Sequence, residues 1–199
     1  MAARCKPWWK APACAGAVLI LVGIVLFGGF NVALEATNTQ EFCVSCHTMK
    51  GNLEEFKKTP HFKNPSGVQA TCPDCHVPRQ YGAKLVAKIM AAKDVYHQFA
   101  GTIDTSEKFE AQRWDMANRV WAKMKSTDSR ECRGCHDFQT MDLENQGSSA
   151  RKKHARAMEK GKTCIDCHAG IAHKQPEPPP GVVLPDIEDE PPAASRRGG

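Results

Sequence analysis

Four short runs carry the chemistry of this chain: Cys43-Val44-Ser45-Cys46-His47, Cys72-Pro73-Asp74-Cys75-His76, Cys132-Arg133-Gly134-Cys135-His136 and Cys164-Ile165-Asp166-Cys167-His168. Each is C-x-x-C-H, the pattern of covalent c-type haem attachment, in which two thiols bond the porphyrin vinyl groups and the histidine ligates iron. A single C-x-x-C pair could equally serve a structural zinc site or a thiol redox centre. Four copies, each followed at once by histidine, point to four covalently bound haems and to electron transfer. The eight motif cysteines are thereby used, and disulfides are not expected; Cys5 and Cys14 match no motif and read as inert thiols.

Iron needs a second axial ligand or keeps an open position for a substrate. Outside the motifs stand four histidines, His61, His97, His154 and His173, one for each of the four irons. Bis-histidine ligation closes iron to substrates and leaves electron transfer as its task. His173 lies five residues past His168, too short a chain to reach the opposite face of the same haem, so it should serve a neighbouring one. His61 and His154 are expected to cross over in the same way. Met49, two residues after His47, competes with His97 for the first iron, because a thioether is also an axial ligand.

The elements that must hold these groups follow from the rest of the chain. Residues 11 to 30 carry no charge and are long enough for one membrane-spanning helix. Arg4, Lys6, Trp8, Trp9 and Lys10 precede them, which places residues 1 to 10 in the cytoplasm and everything after residue 30 outside. A cleaved signal peptide is the competing reading; the apolar run exceeds the usual h-region and no small-x-small site follows it. Haem attachment outside the bacterial inner membrane agrees with a periplasmic domain over 31 to 175, and a proline-rich acidic tail over 176 to 199 reads as disordered.

Ten Phe or Tyr residues are few for a core built from side chains. With about 36 residues per haem over 31 to 175, the haems themselves should fill the core, and the apo chain should be largely unstructured. Leu85, Ile89, Ala92, Tyr96 and Phe99 form an apolar helical stripe between about residues 81 and 100, with packing against haem faces as its expected role. A second helix opens with Asp104 and Glu107 in a capping-box arrangement and carries Phe109, Arg113, Met116, Ala117, Val120, Trp121 and Met124. No alternating strand pattern is present, so the class is mainly α: one transmembrane helix and a small, loop-rich α-helical multihaem domain. Motif intervals of 29, 60 and 32 residues suggest a duplicated two-haem unit, hence two haem pairs. The formal charge of +5 would be offset by eight haem propionates, so no nucleic-acid partner is expected.

These residues resemble the NapC/NirT family of membrane-anchored tetrahaem cytochromes c. The resemblance runs from residue 1 to about 175 and rests on the anchor, Cys43-Val44-Ser45-Cys46-His47-Thr48-Met49, Thr59-Pro60-His61, Gly67-Val68, Cys72 to Pro78, and Cys164 to His173. It implies oxidation of membrane quinol and delivery of electrons to a periplasmic reductase, the periplasmic nitrate reductase first, with no terminal reductase activity of its own. It also implies a quinol site at Lys88 and Asp94 beside the first haem, although six residues on an ideal helix set the two roughly 120° apart. By the same analogy His61 would serve the fourth haem, His173 the third and His154 the second. The alternatives are a passive membrane-tethered carrier, a donor to nitrite or another oxyanion or N-oxide reductase, and a multihaem enzyme that reduces nitrite or hydroxylamine at an open iron.

Overall fold

A computed structural model describes residues 10–182; the N-terminal residues 1 to 9, including Cys5, and most of the acidic tail lie outside the described residues. Every element among the described residues is helical, and one long helix, α1 (Lys10–Ala36), leads into a domain of shorter ones. The segment Cys14–Ala36 is long and apolar enough to cross a membrane, and its large apolar side chains other than Leu34 are exposed, with Leu19 at 71 % and Val32 at 70 %. A helix apolar on every face belongs in lipid. At ~1.5 Å per residue it reaches about 40 Å, beyond the roughly 30 Å hydrocarbon thickness. It runs past the expected end at residue 30 because nothing in Asn31 to Ala36 breaks it; Thr37 ends it by turning its hydroxyl back to the Ala33 carbonyl at 2.8 Å.

The domain that follows contains α2 (Gln40–Cys43), a 3-10 turn (His47–Met49), α3 (Lys50–Phe56), α4 (Cys72–His76) and α5 (Tyr81–Phe99). After it come α6 (Ser106–Ala111), α7 (Arg113–Ser126), α8 (Arg130–Arg133), α9 (Ser148–Glu159) and α10 (Cys164–His168). The predicted second helix is thus two helices, broken at Gln112. Its cap also differs from expectation: Thr105, and not Asp104, accepts the Lys108 amide at 3.3 Å, while Asp104 pairs with the Lys108 ammonium at 2.7 Å.

Side chains supply little core. The buried apolar residues among those described are Leu34, Phe56, Ala87, Ile103, Phe109 and Ile165. Polar ties hold the short helices instead. Glu55 on α3 takes a short ion pair from Arg113 on α7 and accepts the Lys174 amide at 2.9 Å, while Arg113 also donates to the Lys174 carbonyl at 3.2 Å. One half-buried pair therefore joins α3, α7 and the segment after α10. The α5 stripe departs from expectation more sharply: Ile89, Tyr96 and Phe99 are 63, 68 and 88 % exposed and face away from the domain interior.

Candidate functional site

The C-x-x-C-H runs sit on very short helices, which need help at their ends. Two of them have the same device. In Thr71-Cys72-Pro73-Asp74 the Asp74 carboxylate accepts the Thr71 amide at 2.8 Å and its hydroxyl at 2.6 Å; in Thr163-Cys164-Ile165-Asp166 the corresponding distances to Asp166 are 2.7 and 3.0 Å. These capping boxes start α4 and α10 at the first motif cysteine, so both thiols and the histidine fall on one helical turn. Burial works against the Asp166 charge, but the Thr163 amide and Lys125, 3.2 Å away, hold its carboxyl below the usual range. Sequence reasoning passed over Thr71, Asp74, Thr163 and Asp166, although the repeated T-C-x-D-C-H was there to find. It also passed over Ser129, fully buried with φ at 48°, whose hydroxyl accepts the Ile165 amide at 3.1 Å and joins the third motif to the fourth.

The motifs stand in a row. The thiols of Cys43 and Cys72 are in contact, as are those of Cys132 and Cys164, which associates the motifs two by two. Cys75 and Cys135 lie close enough to interact electrostatically, and Arg79 reaches Cys135 Sγ at 3.8 Å, so the two pairs are neighbours.

Three histidines from outside the motifs each face a motif histidine. Ring centroids are 6.1 Å apart for His61 and His136, 6.3 Å for His173 and His76, and 6.1 Å for His154 and His168. Two imidazoles on opposite sides of one metal, each bonded at ~2 Å, have ring centres roughly 6 Å apart. Burial holds His76 down to about 4 and lowers His168 and His173 as well, which favours the neutral, ligating imidazole. The buried Nδ1 atoms of His61 and His173 have no hydrogen-bond partner, while Gln146 orients His154 through its Nδ1 at 2.6 Å. No group of three or more His, Cys, Asp or Glu among the described residues is gathered to hold a bare ion. Paired axial donors beside cysteine pairs therefore fit iron in a porphyrin better than zinc.

These facing rings differ from the pairing implied by resemblance. His61 faces the third motif and not the fourth, His173 the second and not the third, and His154 the fourth and not the second. The chain path explains it. Glu55 and Arg113 grip Lys174, and this sets His173 beside Phe56, 6.5 Å away, and next to α4.

The first motif is different. His47 is exposed, and among the described residues no extra histidine ring faces it. His97 instead bonds Thr102 through Nδ1 at 2.8 Å and stacks edge-on with Tyr96 at 5.6 Å. Met49 lies half-buried, with the Asn52 amide 3.9 Å from its sulfur. Thr48 donates to Gln98 on α5 at 3.1 Å, which places α5 along this motif.

Lys88 and Asp94 occupy different surroundings on α5. The Lys88 ammonium donates to the Thr37 carbonyl at 2.5 Å and to its hydroxyl at 3.3 Å, at the end of α1, and feels Cys43; burial draws it below the ordinary lysine range. Asp94 opens into a cleft of about 230 Å³ with Lys93, His97, Ile103, Gln112, Met116 and Arg119. That volume is below the ~300–1,000 Å³ of drug-sized pockets, room for a single ring and not for a long tail. The helix is unbroken between the two residues, so they do not converge on one side of it.

The family model of the NapC/NirT cytochrome c family, N-terminal region, matches residues 9–178. The chain belongs to the NapC/NirT cytochrome c family. It is 57 % identical over 162 residues to a putative tetraheme cytochrome-c type protein of Allochromatium vinosum, covering 81 % of this chain and 88 % of that one. It is 55 % identical to the denitrification system component NirT of Stutzerimonas stutzeri, covering 79 % of each, and 48 % identical to the cytochrome c-type protein NapC of Escherichia coli, covering 87 and 90 %. No solved structure matches the chain. As a NapC/NirT cytochrome it is a membrane-anchored electron-transfer protein with covalently bound c-type haem, and its mainly helical fold, without strands among the described residues and with an apolar N-terminal helix, is that expected from the sequence.

Proposed function

We propose that the protein oxidises membrane quinol at its first motif and passes the electrons along the row of motifs to a periplasmic reductase. The observation that supports this most is the asymmetry among the motifs: three have a second histidine facing the first, and the one without it lies where α1 leaves the membrane, beside an open cleft. Under this reading the eight motif cysteines hold four haems, with His76 and His173, His136 and His61, and His168 and His154 as axial pairs. His47 or Met49, two residues apart on the 3-10 turn, would hold the first iron. When bound, the haems supply one-electron transfer.

The protein's residues do the rest. Asp94 accepts a proton from the quinol hydroxyl as it is oxidised, and Gln112 and Arg119 orient the ring oxygens. Ile103 and Met116 provide its apolar walls. Lys88 keeps the first motif against the end of α1, close to the level at which the chain leaves lipid. The haem domain faces the periplasm of the inner membrane, with the N-terminus in the cytoplasm.

For the recipient we name the periplasmic nitrate reductase, on the NapC relative matched over 87 % of this chain. A second reading, delivery to a nitrite reductase, is favoured by the 55 % identical relative named as a denitrification component. Mixing the reduced protein with each purified reductase and following haem reoxidation on adding nitrate or nitrite separates the two.

A further inference from the structure

We propose that α5 lies in the periplasmic face of the bilayer as an interfacial helix, with Leu85, Ile89, Ala92, Tyr96 and Phe99 immersed among the lipid headgroups and upper acyl chains. Of the stripe that sequence periodicity assigns to packing, Ile89, Ala92, Tyr96 and Phe99 are exposed, up to 88 % at Phe99, and Leu85 is half-buried. A large exposed apolar face marks a binding surface, and on α5 the apolar exposure extends to Val86, Met90 and Val95 at 61, 63 and 49 %. At ~100° per residue the five stripe side chains fall within roughly 80° of arc. Lys84 and Lys88 border that arc on one side, their ammonium groups bonded to the end of α1, and Lys93 borders it on the other.

Continuity with the membrane anchor identifies the occupant. Lys84 pairs with Glu35 at 2.7 Å and Lys88 with Thr37, so the first half of α5 is tied at two points to the last turn of the spanning helix. α5 therefore starts at the level where the chain leaves lipid. The first haem does not claim the stripe: Ala87 and Gln98, which face the first motif and the interior, lie beyond the lysine border, and Asp94 and the cleft lie on that same side. Aromatic Tyr96 and Phe99 near the end of the helix fit the headgroup level. The proposal rests on membrane anchoring by α1 and is independent of the quinol reading.

The test is photolabelling of the full-length holoprotein in nanodiscs whose phospholipid carries a diazirine high in the acyl chain, with adducts mapped by mass spectrometry. The proposal expects adducts on α1 and on the 85–99 peptide, the latter at least fivefold above α7 and α9 peptides. It also expects Tyr96→Lys with Phe99→Lys to lower α5 labelling at least threefold, with α1 labelling and haem content unchanged. Labelling of α1 with α5 at the level of α9 overturns it. Absence of label on both helices overturns the anchoring and the proposal together.

Discussion

At the scale of single residues, the three facing histidine pairs make the most specific demands. Replacing His61, His173 or His154 by alanine removes one axial donor, and each substitution should turn one low-spin iron high-spin, measured by electron paramagnetic resonance. The pairing can be tested by substituting partners together: His61→Ala with His136→Ala should alter one haem, whereas His61→Ala with His168→Ala should alter two. If the proposed quinol site is right, Asp94→Asn removes its proton acceptor, and quinol oxidation should fall by roughly 10²-fold or more with haem content unchanged. The motifs were fully legible in the sequence, because C-x-x-C-H is a local pattern. Of the four extra histidines, His61, His154 and His173 face a motif histidine and His97 does not; which ring faces which was not legible, since it is set by the path of the chain, here by the grip of Glu55 and Arg113 on Lys174.

At the scale of elements, α4 and α10 depend on their capping boxes. Thr163→Ala with Asp166→Asn should cost about 1 kcal/mol, read as a lower midpoint in thermal unfolding of the holoprotein. Because the folded carboxyl of Asp166 is held below its ordinary value, its contribution is fully present above the unfolded carboxylate range. That contribution is lost as pH falls through the lowered folded value. An acid titration of the wild type should therefore show an unfolding step that Asp166→Asn removes. Arg113→Ala leaves Glu55 without its ion pair and frees the segment at Lys174; the loss should be roughly 1–3 kcal/mol, together with disturbance of the second haem through His173. The helix periods were readable here, but not the break at Gln112 or the direction in which α5 presents its apolar side. Periodicity tells which residues share a face and is silent on whether that face meets protein, haem or lipid.

At the scale of the whole molecule, a handful of buried apolar side chains cannot hold the short helices together, and covalent haem must contribute much of the stability. Chain produced without haem attachment should show little cooperative unfolding by calorimetry. The anchor and the row of motifs were both legible from residue order, because one is a composition signal and the other a spacing signal. Their juxtaposition was not, since it depends on Lys84 and Lys88 reaching Glu35 and Thr37.

The most direct measurement is reduction of the full-length holoprotein in detergent by a quinol analogue, followed at the haem absorption bands. The account predicts rapid reduction of all four haems, blocked by a quinone-site inhibitor and strongly slowed by Asp94→Asn. Failure of the quinol to reduce a fully haem-loaded protein, while a protein electron donor does so readily, would contradict it and leave a passive tethered carrier.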